Sequence, residues 1–102
     1  MRFELNISHA AYLDIEDTFL WYEKQKPGLG ISFEETIESA FHLIGSDPFI
    51  CQIRYKSIRV LFLKKFPYGI HYRIKNEKIE VIAVFHCARS PKSWYQRLTK
   101  RK

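Results

Sequence analysis

A cluster of basic, aromatic and imidazole side chains lies near the end of the chain, in the stretch VFHCARSPKSWYQRLTKRK. The cluster consists of His86, Arg89, Trp94, Tyr95 and Arg97. Arginine binds phosphate oxygens through a planar fork of N–H donors, and histidine exchanges a proton near neutral pH. Tryptophan and tyrosine stack on bases. These residue types at this spacing predict a site for phosphate groups or for an acidic partner.

The net charge of +6 conceals a strong asymmetry between the two halves of the chain. Residues 1–50 carry three basic and nine acidic side chains, which gives a net charge of −6. Residues 51–102 carry fourteen basic and two acidic side chains, which gives +12. This asymmetry predicts a polyanionic or acidic partner for the second half, although a lysine-rich surface would also serve solubility alone.

Length and composition indicate a single globular domain, residues 1–102. Of the 102 residues, 46% are hydrophobic and 16% aromatic, which excludes a disordered chain. No apolar run is long enough to cross a membrane and the first residues lack the apolar region of a signal peptide, so we expect a cytoplasmic protein without a membrane partner. Cys51 and Cys87 lack the spacing of metal ligands. We expect both to be buried apolar groups, with no disulfide, metal or cofactor.

The first half predicts one strand followed by a helical hairpin. Residues 2–7 alternate between apolar and polar, which is typical of a half-buried strand. Residues 9–25 repeat apolar side chains at helical spacing after Ser8, a suitable N-cap. The KPGLG segment, residues 26–30, ends this helix. A second helix is predicted from a capping box at Ser32, or from one turn earlier, to residue 44.

The second half predicts strands and a short final helix. Three runs with the two-residue period of strands cover residues 58–63, 68–74 and 79–86. Short connections make them an antiparallel meander. Pro91 then begins a short helix or turn. The prediction is an α+β fold, with the helical hairpin on one face of a mainly antiparallel sheet of about four strands.

The alternation also predicts which side chains face the hairpin. The predicted core consists of Phe3, Leu5, Ile15, Phe19, Phe33, Ile37, Phe41, Val60, Phe62, Ile70, Tyr72, Val81 and Ala83, with Ile58 and Phe85 on the same side of the sheet. The opposite face would present Arg59, His71, Arg73, Glu80 and His86, together with Leu61, Leu63, Ile82 and Val84. That face is too apolar for a plain solvated surface, so we expect the C-terminal tail or a bound partner segment to cover part of it.

Three segments of the chain together resemble a known family: FLWYEKQKPGLGISFEE, YKSIRVLFLKKFPYGIHYRI and IEVIAVFHCARSPKSWYQR. In this order they resemble the RelE/ParE superfamily of small toxins from bacterial type II toxin-antitoxin modules, in the group often labelled plasmid-stabilisation proteins. The resemblance covers nearly the whole chain and agrees with the predicted element order. It implies a toxin encoded beside an antitoxin, whose acidic segment would bind the basic sheet face.

The superfamily contains two activities, and the resemblance leaves the choice between them open. Some members cut messenger RNA on the ribosome, whereas others are not nucleases and poison DNA gyrase. RNA cleavage without a metal needs a base, cations around the phosphate and a proton donor. In the cutting members a C-terminal arginine and a tyrosine six residues later belong to the active site, and the matching residues here are Arg89 and Tyr95.

One departure from the cutting members concerns Gly69, because those members usually carry an arginine there. We expect Arg59, Arg73 or Lys65 to supply the missing charge, and His71 or His86 to act as acid or base. Further predicted nucleic-acid ligands are Arg73, Lys64, Lys65, Arg97 and Trp94.

Each candidate also has a structural interpretation. His71 and Arg73 would pair with Glu80 across the sheet, His86 would be a hydrogen-bonded strand-end residue, and the C-terminal aromatic side chains would pack on the core. The functional prediction is ribosome-dependent messenger RNA cleavage. The alternatives are gyrase inhibition, with the helical hairpin and its Tyr12, Trp21 and Tyr22 as contacts, and a decayed toxin that only binds antitoxin.

Overall fold

The computed structural model describes residues 3–99, which form five strands and three helices. In chain order these are β1 (Glu4–Ile7), α1 (His9–Gln25), α2 (Leu29–Ser46), β2 (Ile53–Tyr55), β3 (Ile58–Phe62), β4 (Tyr68–Lys75), β5 (Lys78–His86) and α3 (Pro91–Thr99). The predicted α+β fold and element order are confirmed. Arg2 and the basic residues 100–102 lie outside the described residues. Within residues 3–99, no helix is both long and apolar enough to span a bilayer.

The strands form one sheet in the order β1-β5-β4-β3-β2. β1 runs parallel to β5, and the other neighbours are antiparallel. The predicted meander is therefore correct, but the sheet has a fifth strand, β2, at its edge. β2 has three residues and its register shifts between Ile53 and Tyr55. A strand this short leaves no alternation to detect in the sequence.

A β-bulge interrupts the pairing of β4 with β5. His71 pairs with Ala83, whereas the next residue, Tyr72, pairs with Val81, which leaves Ile82 as the extra residue. A bulge changes which side chains of the following segment face each side of the sheet. In β5 it reverses the alternation after Ile82.

The reversal moves the end of β5 to faces opposite to those predicted. Val81 before the bulge and Val84 after it both pack toward the hairpin. Phe85 consequently turns to the other face, where it contacts the ring of His71 at 5.1 Å between centroids. His86 turns to the hairpin side, beside Tyr68. The predicted faces of Ala83, Val84, Phe85 and His86 are wrong, because the sequence gives no sign of the extra residue.

The faces of β3 are also opposite to the prediction. Leu61 pairs with Ile70, and both pack toward the hairpin, as does Leu63. Ile58 and Val60 belong to a second cluster on the opposite face. β3 carries apolar side chains on both faces, so its alternation cannot choose between them. Phe62, predicted to be in the core, is 42% exposed at the strand end.

The molecule has three layers because apolar side chains cover both faces of the sheet. The hairpin-side core comprises Ala11, Phe33, Ile37, Ala40, Ile44, Phe66, Ile70, Tyr72, Ile79, Val81 and Val84, with Phe3, Leu5, Ile15 and Phe41 partly buried against it. On the other face, Tyr55, Ile58 and Val60 pack with Ile82, Trp94 and Leu98. As expected, the C-terminal tail covers part of the face predicted to be basic, in the form of α3, and we call this face the α3 face.

The carboxylate of Glu23 joins the two helices of the hairpin. It accepts the backbone N–H groups of Gly28, Gly30 and Ile31 at 2.8–3.2 Å. These bonds cap the first turn of α2 and lower the pKa of Glu23. Gly28 occupies the N-cap position with φ of 92°, a conformation that favours glycine. The helix thus begins one turn before the predicted capping box at Ser32, which does not form its N-terminus.

The close approach of α1 and α2 predicts that Gly30→Ala destabilises the protein. A Cβ at this position would lie 2.6 Å from Glu23 Cγ and 2.6 Å from the backbone oxygen of Phe19. We expect denaturant unfolding to show a loss of about 2 kcal/mol, although alanine is the better helix former. Ser39→Ala, at an exposed position of α2, is the matched control. Unchanged or increased stability of Gly30→Ala would contradict the close contact.

Candidate functional site

His71 lies in the middle of the α3 face and is 2% exposed. Its Nδ1 is hydrogen-bonded to the hydroxyl of Tyr55 at 2.8 Å. Burial, followed by the nearby charge of Arg97, lowers the pKa of His71 to about 4. Burial also raises the pKa of Tyr55 to about 12. His71 is therefore uncharged at neutral pH, and the Trp94 ring, 5.0 Å away between centroids, covers it.

An ion pair between α1 and α3 closes the edge of β5. Arg97 Nη1 and Nη2 donate to the two carboxylate oxygens of Asp14 at 3.0 and 3.2 Å, and Nη1 also donates to the Ile82 carbonyl at 2.9 Å. Asp14 accepts the backbone N–H of Val84 at 3.0 Å. β1 pairs with β5 only as far as Val81, so these two side chains satisfy the backbone groups that follow. We call this arrangement the edge clamp.

Arg89 stands beside the clamp and remains exposed. Its guanidinium carbon lies 4.2 Å from the centroid of the Phe85 ring, and that of Arg97 lies 4.8 Å from the same centroid. Among residues 3–99 the structure gives Arg89 no carboxylate within ion-pair distance. It lines a cavity of about 450 Å³ with Ser93, Gln96, Arg97 and Thr99. Arg89 thus offers a positive charge to an external ligand.

Tyr95 lies on the other flank of α3. The centroid of the Tyr95 ring lies 5.5 Å from the centroid of the Tyr55 ring and 5.8 Å from Lys56 Nζ. Tyr95 therefore stands beside β2, whereas Arg89 lies over β5, and two strands separate β2 from β5. The structure does not bring Arg89 and Tyr95 to one cavity.

The surroundings of Gly69 explain why this position cannot hold a larger side chain. Gly69 is paired with Phe62 on one side and Phe85 on the other. A Cβ on Gly69 would lie 2.8 Å from Val60 Cγ1 and 3.2 Å from the Phe62 ring. The neighbouring side chains thus fill the space that an arginine would need.

The cations expected to compensate for Gly69 lie elsewhere. Arg59 is on the hairpin side, where it donates to the Cys51 carbonyl and its guanidinium lies over the Phe49 ring. Arg73 is ion-paired with Glu80 at 2.7 Å, which confirms the structural interpretation. Lys64 and Lys65 line a groove between α2 and β3 on the hairpin side.

The remaining candidates are also accounted for. His86 lies on the hairpin side and its Nδ1 accepts the backbone N–H of Ala88 at 2.9 Å. Trp94 packs on the core of the α3 face, although its buried Nε1 has no hydrogen-bond partner among residues 3–99. Cys51 is partly buried, whereas Cys87 is exposed because it lies in the turn after β5, which corrects the expectation of two buried thiols. Within residues 3–99, no group of His, Cys, Asp and Glu side chains is arranged to hold a metal ion.

Asp14 has a role that was not predicted from the sequence. An acid early in a helix is normally assigned to the helix dipole. Asp14, however, lies three residues after Ala11 and four before Thr18, both of which are buried. A carboxylate at that spacing is directed toward the core side of the helix, and it requires a partner.

The three-layer α+β arrangement, with a helical hairpin on one face of the sheet and a C-terminal helix on the other, defines the class of small toxins with the RelE/ParE fold. A chain of the solved structure "Chromosomal ParDE TA system from P. aeruginosa" has this fold, with a TM-score of 0.74 and 16% identity over 83% of this chain and 96% of that one. No curated protein matches.

The family model described as "ParE toxin of type II toxin-antitoxin system, parDE" matches residues 5–91. The chain therefore belongs to the ParE toxin family, which confirms the resemblance to the superfamily. It is the toxin component of a type II toxin-antitoxin module, and membership implies a cognate antitoxin.

Acid should destabilise the protein through His71. Its pKa is about 4 when folded, against 6.5 for an ordinary histidine. Between these values the unfolded chain binds more protons, so the free energy of unfolding falls as the pH drops from 6.5 to 4, by at most about 3 kcal/mol. Urea unfolding across this range should show that the free energy of unfolding depends less on pH in the double variant Tyr55→Phe/His71→Phe than in the wild type. His9→Gln, at an exposed position, is the control. The same pH dependence of the free energy of unfolding in the wild type, the double variant and the control would contradict the prediction.

The edge clamp predicts a large cost for Arg97→Ala. This change leaves the carboxylate of Asp14, whose side chain is 15% exposed, without its counter-ion. We expect a loss of about 2–3 kcal/mol in the free energy of unfolding. Arg73→Ala breaks the more exposed pair with Glu80 and should cost less than about 1 kcal/mol. Equal losses in the two variants would contradict the special role of the clamp.

Proposed function

We propose that this ParE-family toxin inhibits DNA gyrase by direct binding and does not cut RNA. The observation that carries the proposal is the arrangement of the α3 face, where the expected catalytic groups are buried, neutralised or separated. Gyrase poisoning is also the activity that the resemblance implies for one branch of the superfamily.

RNA cleavage would need a base, a cation and an acid at the same phosphate. His71, the histidine of the α3 face, is buried and uncharged at neutral pH. Arg97 is neutralised by Asp14. Arg89 and Tyr95 lie on different flanks of α3. To act as a nuclease, this chain would first have to move α3 away from the sheet. That movement would break the packing of Trp94 and the edge clamp.

The helical hairpin offers the surface for a protein target. Four large side chains of α1 are exposed: Tyr12, Leu13, Leu20 and Trp21. Trp21 is 55% exposed and its ring contacts the edge of Tyr22 at 5.1 Å between centroids. Exposed tryptophan and tyrosine side chains beside leucines are typical of the residues that carry most of the binding energy in protein interfaces. We assign gyrase binding to this surface of α1.

The antitoxin has a separate place available. The predicted acidic segment on the basic sheet face would have to compete with α3. The groove between α2 and β3 instead offers apolar side chains such as Leu43, Leu61 and Leu63, and its charged lining is two lysines, Lys64 and Lys65, against one acid, Glu35. An antitoxin segment with apolar and acidic residues fits this groove without displacing α3.

The proposal is tested by supercoiling of relaxed plasmid by purified gyrase in the presence of the toxin. We expect inhibition and the appearance of linear DNA with the wild type. Trp21→Ala should raise the toxin concentration for half-inhibition about tenfold, because the loss of one aromatic anchor costs at least about 1.4 kcal/mol. Lys24→Ala, an exposed change on the same helix, should stay within about twofold. Thermal unfolding of both variants controls for folding.

The competing functions give different results. New messenger RNA 5′ ends inside translated codons after induction, lost in Tyr95→Phe, would overturn the proposal in favour of ribosome-dependent cleavage. Growth that continues on induction without antitoxin, at normal protein level, would indicate a decayed toxin. Gyrase inhibition that is equal in Trp21→Ala and the wild type would refute the assignment to α1.

A further inference from the structure

The cavity beside Arg89 has the features of an anion site. The guanidinium of Arg89 lies over the ring of Phe85, with a carbon-to-centroid distance of 4.2 Å. A guanidinium stacked on a ring keeps its N–H groups, which point outward in its plane, free for a second partner. Phe85 itself is 1% exposed, so the platform under Arg89 is fixed. The ring thus supports the Arg89 guanidinium while its N–H groups stay available to a ligand.

The two arginines on Phe85 have different roles. Arg97 is bonded to the carboxylate of Asp14 and to the Ile82 carbonyl, which leaves little of its charge uncompensated. Arg89 donates to no carboxylate of the described residues. The described residues 87–99 contain three basic and no acidic side chains. The cavity therefore lies beside a basic segment, with Arg89 as its available cation.

The walls of the cavity favour a phosphodiester over an acidic peptide. Besides the two arginines, they consist of Ser93, Gln96 and Thr99, whose hydroxyl and amide groups can donate to phosphate oxygens. Among residues 3–99 the lining includes no carboxylate and no aliphatic or aromatic side chain of the kind that would bind the apolar residues of a docked peptide. The volume of about 450 Å³ accommodates a phosphate together with its sugar.

We propose that Arg89, Ser93 and Gln96 form a binding site for a phosphodiester group of the DNA backbone. The toxin would then contact DNA through α3 while α1 contacts the protein in a gyrase–DNA complex, a role that rests on the proposed function. This site positions the toxin and carries out no chemistry. It lies on the flank of α3 away from Tyr95.

The experiment measures binding of the full chain to a short fluorescein-labelled DNA duplex by anisotropy at several salt concentrations. Arg89→Ala should weaken binding about tenfold and reduce the salt slope by about one. Arg89→Lys keeps the charge but loses the fork, and it should still weaken binding by about threefold or more. Lys92→Ala removes one charge from an exposed position of α3 and should weaken binding by less than about threefold.

The possible outcomes separate the site from general charge and from the proposed function. Equal losses in Arg89→Ala and Lys92→Ala would overturn the site, as would competition by polyglutamate as strong as that by unlabelled duplex. Thermal unfolding and circular dichroism of each variant exclude a folding defect, and Arg89→Lys keeps the test valid if Arg89→Ala unfolds. Arg89-dependent DNA binding without gyrase inhibition by the wild type would refute the gyrase proposal and leave the phosphate site standing.

Discussion

The unpaired edge of β5 is the constraint on which the rest of the structure depends. β1 ends at Ile7, so on this side of the sheet the backbone groups of β5 beyond Val81 have no strand beside them, whereas β4 pairs with β5 on the other side. Buried backbone donors and acceptors need partners. Asp14 from α1 accepts the N–H of Val84, and Arg97 from α3 donates to the carbonyl of Ile82. One ion pair thus completes the sheet edge and fixes α3 against the sheet.

The position of α3 decides what the α3 face can do. Because Arg97 is anchored at β5, Trp94 lies over His71 and excludes it from solvent. The same anchoring sends Tyr95 toward β2 and leaves Arg89 on the opposite flank. The residue types of an RNA-cutting site are present, but the fold places them at separate positions on the α3 face. This distribution, and not the lack of any one residue, is the reason why the geometry favours a binding toxin over a catalytic one.

The sequence predicted the elements well because helix and strand periods are local properties. It could not predict the bulge at Ile82, since one extra unpaired residue leaves no mark in the alternation, and the predicted faces of residues 83–86 were wrong as a result. The prediction of which β3 side chains face the hairpin was wrong for a related reason. Val60 and Leu61 are both apolar, so the alternation does not show which of them faces the hairpin. The capping by Glu23 and the pairing of Asp14 with Arg97 join residues distant along the chain, as in most site geometry, and only the three-dimensional arrangement brings them together.

The edge clamp also connects the two surfaces to which we assign function. Asp14 belongs to α1, the helix that exposes Trp21, and its partner Arg97 shares the ring of Phe85 with Arg89. The apolar surface of α1 and the basic cavity of α3 therefore belong to elements joined directly by one carboxylate. A toxin that holds a protein and its DNA at the same time needs the two contacts in a fixed relation, because freedom between them would lower the effective concentration of the second contact. The clamp supplies this relation through an interaction that the folded sheet already requires.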